Sequence, residues 1–142
     1  MRQSLRNYVL DANALISLFE ARRGSVEKVQ KLILEALRKE TPLLMSAVNW
    51  GEVFYIVLRR HGEDKAREVE AKLQELPVVI VTVDKDRASR AGILKEKYGL
   101  GYADAFAAEL AIERGAWLVT ADPEFARAGR AISICSLPRH EK

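Results

Sequence analysis

The chain has 142 residues, a length suited to one domain, and residues 1–142 are expected to form one. Hydrophobic residues make up 49% of it, enough for a full core, and charged residues 30%, as in a water-facing surface. No apolar run approaches the roughly 20 residues that cross a bilayer, and Met1–Arg6 lacks the apolar stretch of a secretory signal, so a cytoplasmic location and no membrane partner are expected. The net charge of +3 mildly favours a polyanionic partner. The single Cys135 excludes an internal disulfide and a thiolate metal site; within a terminal strand it is expected to be a buried packing thiol. His61 and His140 stand in no metal-ligand spacing and are expected to be solvated, which argues against a histidine-based zinc site.

Residues 8–12 form a short apolar strand, and residues 13–20 begin a helix. Gly24 breaks it, with Ser25 as the expected N-cap of a second helix at 26–39, whose stripe is Val26, Val29, Leu32, Ile33, Ala36 and Leu37. Pro42 opens a strand at 43–45. A helix at 47–60 stops at His61-Gly62, and an amphipathic helix at 63–76 ends at Pro77. The β-branched run 78–83 predicts a parallel strand covered on both faces. Helices follow at 84–98 and 102–114, separated by Gly99-Leu100-Gly101, then a strand at 117–120, a short helix at 123–128 and a last strand near 131–135. Strands alternating with helices predict an α/β fold with a mostly parallel sheet. In such sheets ligands gather beyond the carboxyl ends of the strands.

Four acidic residues occupy positions where a fold usually avoids a charge. Asp11 ends Tyr8-Val9-Leu10, Glu52 interrupts the apolar stretch 48–58, Asp104 sits among alanines, and Asp122 follows the run 116–120. Asp11 and Asp122 could each cap a helix, and Asp104 could be a first-turn acid favoured by the helix dipole. Glu52 lies mid-helix, one turn from Asn49 and sharing a narrow polar stripe with it, so capping does not explain it. Gathered together, these carboxylates need a cation, and an all-oxygen donor set points to Mg²⁺ or Mn²⁺.

Tyr-Val-Leu-Asp-Ala-Asn (8–13), Glu52 within 46–52, Tyr-Ala-Asp-Ala-Phe-Ala-Ala (102–108) and Leu-Val-Thr-Ala-Asp-Pro-Glu-Phe (118–125) resemble the four signature segments of a PIN domain. Their order and spacing are most similar to VapC-type toxins. The resemblance implies a three-layer α/β/α fold with about five strands, metal-dependent endoribonuclease activity, homodimerisation and inhibition by a separate VapB-type antitoxin. It places catalysis and one or two Mg²⁺ or Mn²⁺ ions on Asp11, Glu52, Asp104 and Asp122, with Asn13 and Thr120 supporting the site. Asp11, Glu52 and Asp104 would hold one ion directly, and Asp122 a second ion or the first through water. Metal-activated water would leave a 5′-phosphate and a 3′-hydroxyl.

Arg22, Arg23, Arg59 and Arg130 are candidates for the RNA backbone. Tyr102, where relatives often carry a smaller residue, either packs at a helix start or stacks on a base. Apolar positions beyond the needs of one core, in the helices at 26–39 and 63–76, are candidates for a dimer interface. An RNA-processing PIN nuclease without an antitoxin and a non-catalytic RNA-binding PIN domain remain open, although the latter would be expected to lose acids that this chain keeps. A phosphotransfer module would need a lysine after a later strand, where Ala121-Asp122 stands instead.

Overall fold

The computed structural model describes residues 7–138. In chain order these form β1 (Tyr8–Leu10), α1 (Ala12–Phe19), α2 (Ser25–Lys39), β2 (Leu43–Ser46), α3 (Ala47–His61), α4 (Glu63–Leu73), β3 (Val78–Val81), α5 (Lys85–Tyr98), α6 (Tyr102–Arg114), β4 (Trp117–Thr120), a 3₁₀ segment (Pro123–Ala131) and β5 (Ser133–Ser136). The five strands pair in the order β3-β2-β1-β4-β5, and every pairing is parallel.

Strand alternation divides the core between the two faces of the sheet. Val9, Leu44 and Leu118 pack with Phe106, Leu110 and Phe125 on the side of α5, α6 and the 3₁₀ segment. Leu10, Met45 and Val119 pack with Leu15, Val29, Val53 and Val69 on the side of α1 to α4. The result is the expected α/β/α arrangement of three layers. The chain lays down β1, β2 and β3 in one direction, then crosses β1 to place β4 and β5 on its other side. That reversal opens a crevice at the carboxyl ends of β1 and β4, where Asp11 N–H donates to the Val119 carbonyl at 3.0 Å.

Several local expectations change. The run 78–83 is not a strand covered on both faces. β3 ends at Val81 and lies at the sheet edge, and Val79 is 46% exposed. Its β-branched residues suit any pleated strand, central or not. Cys135 lies on the opposite edge strand and is only partly buried. Ser25 does not cap α2: Gly24 holds the cap position at φ 88°, where glycine is favoured, and its N–H donates to Glu27 Oε1 at 2.7 Å. The helix expected at 123–128 is a 3₁₀ segment that kinks at Gly129. The apolar stripe of α4 is consumed by the core through Ala66, Val69 and Leu73, so surplus apolar surface lies instead on α2 (Leu34, Leu37) and on α5 and α6 (Ile93, Ile112).

One buried acid escaped the sequence reading. Glu109 is 3% exposed on α6, and its carboxylate accepts from Arg87 at 3.1 and 3.2 Å and from Arg90 at 3.0 Å. Both arginines belong to α5, so this triad clamps the two helices together. Glu109→Ala leaves the nearly buried Arg87 with only the peripheral Glu113 as a partner. It is expected to destabilise the fold by about 3–5 kcal/mol in urea unfolding, whereas Glu113→Ala costs about 1 kcal/mol or less.

Candidate active site

The end of β1 fixes the first carboxylate. Asp11 is the N-cap of α1, is 2% exposed, and accepts from Ala12 N–H at 2.8 Å. Its second oxygen accepts from Thr120 Oγ1 at 2.8 Å and from Asn13 Nδ2 at 3.1 Å. Thr120 Oγ1 in turn accepts from Asp122 N–H at 3.0 Å, and Asn13 Oδ1 accepts from Ala121 N–H at 3.0 Å. A closed network therefore joins the ends of β1 and β4, and Asn13 and Thr120 both touch Asp11. The loop after β4 sets Asp122, which caps the 3₁₀ segment by accepting from Glu124 N–H at 2.9 Å.

Helices bring in the remaining acids. Asp104 is in the first turn of α6. Preceding it, Gly101 leaves room for the carboxylate, since a Cβ there would stand 3.2 Å from Asp104 Oδ2. Glu52 is partly buried on α3. One turn earlier, the fully buried Asn49 donates to the Ala103 carbonyl at 3.0 Å, tying α3 to the start of α6 beside Asp104. Asn49 Oδ1 has no partner among the described residues. Asn49 was visible in the sequence only as a neighbour of Glu52 on a polar stripe; its tie to α6 needed the tertiary structure.

Electrostatics show that the acids meet. Burial raises the Asp11 pKa to about 6, against the lowering effect of its hydrogen bonds, with smaller upward contributions from Glu52 and Asp122. Burial raises Asp104 to about 7, helped by Asp11, Asp122 and Glu124 and by a hydrogen bond shared with Asp122. Glu52 is raised by burial and then by Asp104. Carboxylate oxygens of Asp104, Asp122 and Glu124 lie within 4.8 Å of one another. Glu124 stands in the sequence only within the signature segment 118–125, and its place after Asp122-Pro123 is the one signal for it. Among the described residues, the one ion pair that reaches these five acids is the exposed contact of Arg127 with Glu124 at 3.8 Å; none reaches Asp11, Glu52, Asp104 or Asp122.

The donor set therefore fits a hard divalent cation. It is all oxygen and convergent, and the single exposed contact of Arg127 with Glu124 leaves most of its charge unneutralised. The expected ligand set changes in emphasis, since the tightest oxygen group is Asp104, Asp122 and Glu124, with Asp11 and Glu52 flanking it.

The arginines are not gathered at the acids. Arg22 donates to Glu20 at 3.0 Å, and Arg60 and His61 share that carboxylate, so Arg22 and His61 are engaged rather than simply solvated. Eight residues of α1, roughly 12 Å of helix, separate Asp11 from Glu20. Arg23, Arg59 and Arg130 are exposed, and Arg59 shares the α3 face of Glu52 about 10 Å further along. His140 lies outside the described residues.

A family model described as PIN domain matches residues 8–131. The chain belongs to the PIN domain family. Ribonuclease VapC of Mycolicibacterium smegmatis is 28% identical over 110 residues, covering 72% of this chain and 81% of the relative. A chain of VapBC2 from Rickettsia felis, solved bound to a promoter DNA fragment, shares the fold at TM-score 0.70 and 18% identity, over 92% of this chain and 98% of that one. VapC20 of Mycobacterium tuberculosis, described as a sarcin-ricin loop cleaving toxin, superposes at TM-score 0.69 and 17% identity, over 86% of this chain and 95% of that one. Among the described residues of this PIN domain, no helix is long and apolar enough to cross a membrane.

The raised Asp104 pKa fixes the sign of a pH effect. The folded state holds this proton up to about pH 7 while the unfolded state releases it near 3.8. The stabilisation tied to that proton is complete below the unfolded value and is lost as pH rises through the folded one. In metal-free buffer, Asp104→Asn is expected to melt progressively higher than the parent chain as pH rises from 4 to 8, with the difference vanishing at the acid end of a thermal melting series.

Proposed function

We propose that the chain is a Mg²⁺- or Mn²⁺-dependent endoribonuclease and the toxin of a VapBC-type pair. It acts in the cytoplasm as a homodimer of single PIN domains and is held inactive by a separate VapB-type antitoxin. One observation carries the reading: five carboxylates converge at the crevice between β1 and β4, and among the described residues only Glu124, at its rim, pairs with a protein cation. The similarity to a ribonuclease VapC and to chains of VapBC complexes supports the substrate class and the partner.

In this reading Asp11, Glu52, Asp104 and Asp122 hold one or two ions, directly or through water, and Glu124 completes the group. A bound divalent ion supplies water activation and neutralises charge developing on the scissile phosphate. Asp11 is oriented for that task by Thr120, Asn13 and the Ala12 amide, so its geometry is set before ligand arrives. The Asn49 tie between α3 and α6 keeps Glu52 facing Asp104. Hydrolysis forms a new P–O bond from water and breaks the P–O3′ bond, and the departing 3′ oxygen takes up a proton. The products are a 5′-phosphate and a 3′-hydroxyl. Nucleophilic catalysis by a side chain is disfavoured, because among the described residues the one histidine, His61, contacts Glu20 and no serine or cysteine.

Purified protein is expected to degrade RNA in Mg²⁺ or Mn²⁺ and to stop in EDTA. Asp11→Asn and Asp104→Asn should each lower the rate by at least about a hundredfold while retaining the far-ultraviolet circular dichroism of the parent. Parent-like cleavage by either variant would sink the mechanism. Calorimetric titration of Mn²⁺ into Glu124→Gln asks a separate question, and weaker binding than in the parent is the expected result.

A further inference from the structure

The ion pair that reaches the acids from the rim also reaches a second part of the chain. Arg127 lies in the 3₁₀ segment, three residues after Glu124, and its Nη1 stands 3.8 Å from Glu124 Oε1. The same Nη1 donates to the Gly99 carbonyl at 2.8 Å. Gly99 closes α5 in the left-handed conformation at φ 67° and opens the short loop into α6. The next carbonyl of that loop, on Leu100, accepts from Lys95 Nζ at 3.0 Å. Gly101 follows, and a Cβ on it would stand 3.2 Å from Asp104 Oδ2. One guanidinium therefore spans from the segment that bears Asp122 and Glu124 to the loop that sets Asp104.

The end of α5 is a favourable place for that cation. The last carbonyls of a helix lack partners in a following turn and form the negative end of its dipole. The contact contributes little to the fold, because the Arg127 and Glu124 side chains are 54% and 50% exposed and exposed ion pairs are weak. Phe125 and Ala128 anchor the inner side of the 3₁₀ segment in the core, while Glu124 and Arg127 lie on its outer side. What the contact resists is local. Carboxylate oxygens of Asp104, Asp122 and Glu124 lie within 4.8 Å of one another, and like charges at that range push apart. The 3₁₀ segment, broken at Gly129, is the element least braced against that push. Arg127 opposes it twice, by drawing on the Glu124 carboxylate and by holding the loop before Asp104.

We propose that Arg127 is a positioning residue of the cation site: it clasps the 3₁₀ segment to the loop before α6 and keeps Asp104, Asp122 and Glu124 at ligating separation. The inference rests on the divalent-cation reading above and names the side chain that sets the spacing of the ligands. Charge and positioning act in opposite directions here. A positive group beside an acidic site repels an incoming cation, so removing its charge alone tightens binding. Removing a clasp weakens binding, because the ligands must then be gathered as the cation binds.

The test titrates Mn²⁺ alone into the full chain by calorimetry, at fixed pH and ionic strength. Arg127→Met keeps most of the length but neither the charge nor the donors. It should weaken binding by at least about fivefold, the equivalent of about 1 kcal/mol. Lys97→Met is the charge control: Lys97 is exposed, two residues before Gly99, with its ammonium over the Tyr98 ring. That variant removes one positive charge without touching the clasp, so Mn²⁺ affinity should be unchanged or higher. Arg127→Lys keeps the charge and a donor and should recover part of the loss. In metal-free buffer Arg127→Met should melt within about 2 °C of the parent, as suits the loss of an exposed contact. In RNA cleavage it should need proportionally more Mn²⁺ for half-maximal rate, approach the parent rate at saturation, and keep KM for RNA within about twofold. Unchanged or tighter Mn²⁺ binding by Arg127→Met would overturn the proposal. So would an equal loss in Lys97→Met, or a loss that comes with a markedly lower melting temperature, since the arginine would then serve the fold as a whole. A parent chain that binds no Mn²⁺ would fail the divalent-cation reading itself; a parent that binds, matched by Arg127→Met, would fail the clasp alone.

Discussion

The structure depends on a repulsion that the protein relieves only at its edge, where Arg127 meets Glu124. Asp11, Asp104, Asp122, Glu52 and Glu124 converge where β1 and β4 part, and burial holds at least two of them near the point of keeping a proton at neutral pH. Such a cluster costs folding free energy. Elsewhere in the same molecule the buried Glu109 is matched by Arg87 and Arg90. The contrast between these two treatments of buried charge separates scaffold from site. Where stability is the purpose, guanidinium groups sit about 3 Å from the buried carboxylate; at the crevice the one such contact, Arg127 with the exposed Glu124 at 3.8 Å, leaves the buried acids without a protein cation.

The topology explains how residues from four parts of the chain can meet at one crevice. Parallel strands all end at the same edge of the sheet, and helices begin there, so their amide-rich starts point toward the same space. Asp11 and Asp122 cap such starts and Asp104 lies in a first turn. Capping and metal binding are therefore the same placement seen twice. The helix start that gains from an acid locally also delivers that acid to the shared crevice. Glu52 alone is placed otherwise, from the flank of α3, and the amide bridge from Asn49 to Ala103 sets its height against α6.

Much of this was legible in the chain, and the failures have physical causes. The helix 102–114 and the strand 117–120 matched the observed bounds because glycines and the change of periodicity mark them on both sides. The four acids were found because each interrupts an apolar run. Glu124 was missed because an acid after Pro123 is fully accounted for as a helix start. Glu109 was missed because an acid within an alanine-rich helix reads as an outward-facing one, and its arginines lie about 20 residues away on α5. The run 78–83 is expected to be covered on both faces, yet it yields a strand at 78–81 on the sheet edge, because β-branched content reports suitability for a strand and carries no information about neighbours.

By itself the sequence determined the element types, their order, the α/β class and the set of acids, because these follow from local periodicity and from charges placed against it. Only the tertiary structure decided which strands form the edges, which carboxylates approach most closely, that Asn49 bridges α3 and α6, and that Arg22 is occupied by Glu20 rather than open to a ligand. Those facts concern pairs of residues far apart in the chain. Their distances are fixed by sheet order and helix packing, which no local pattern of residues encodes.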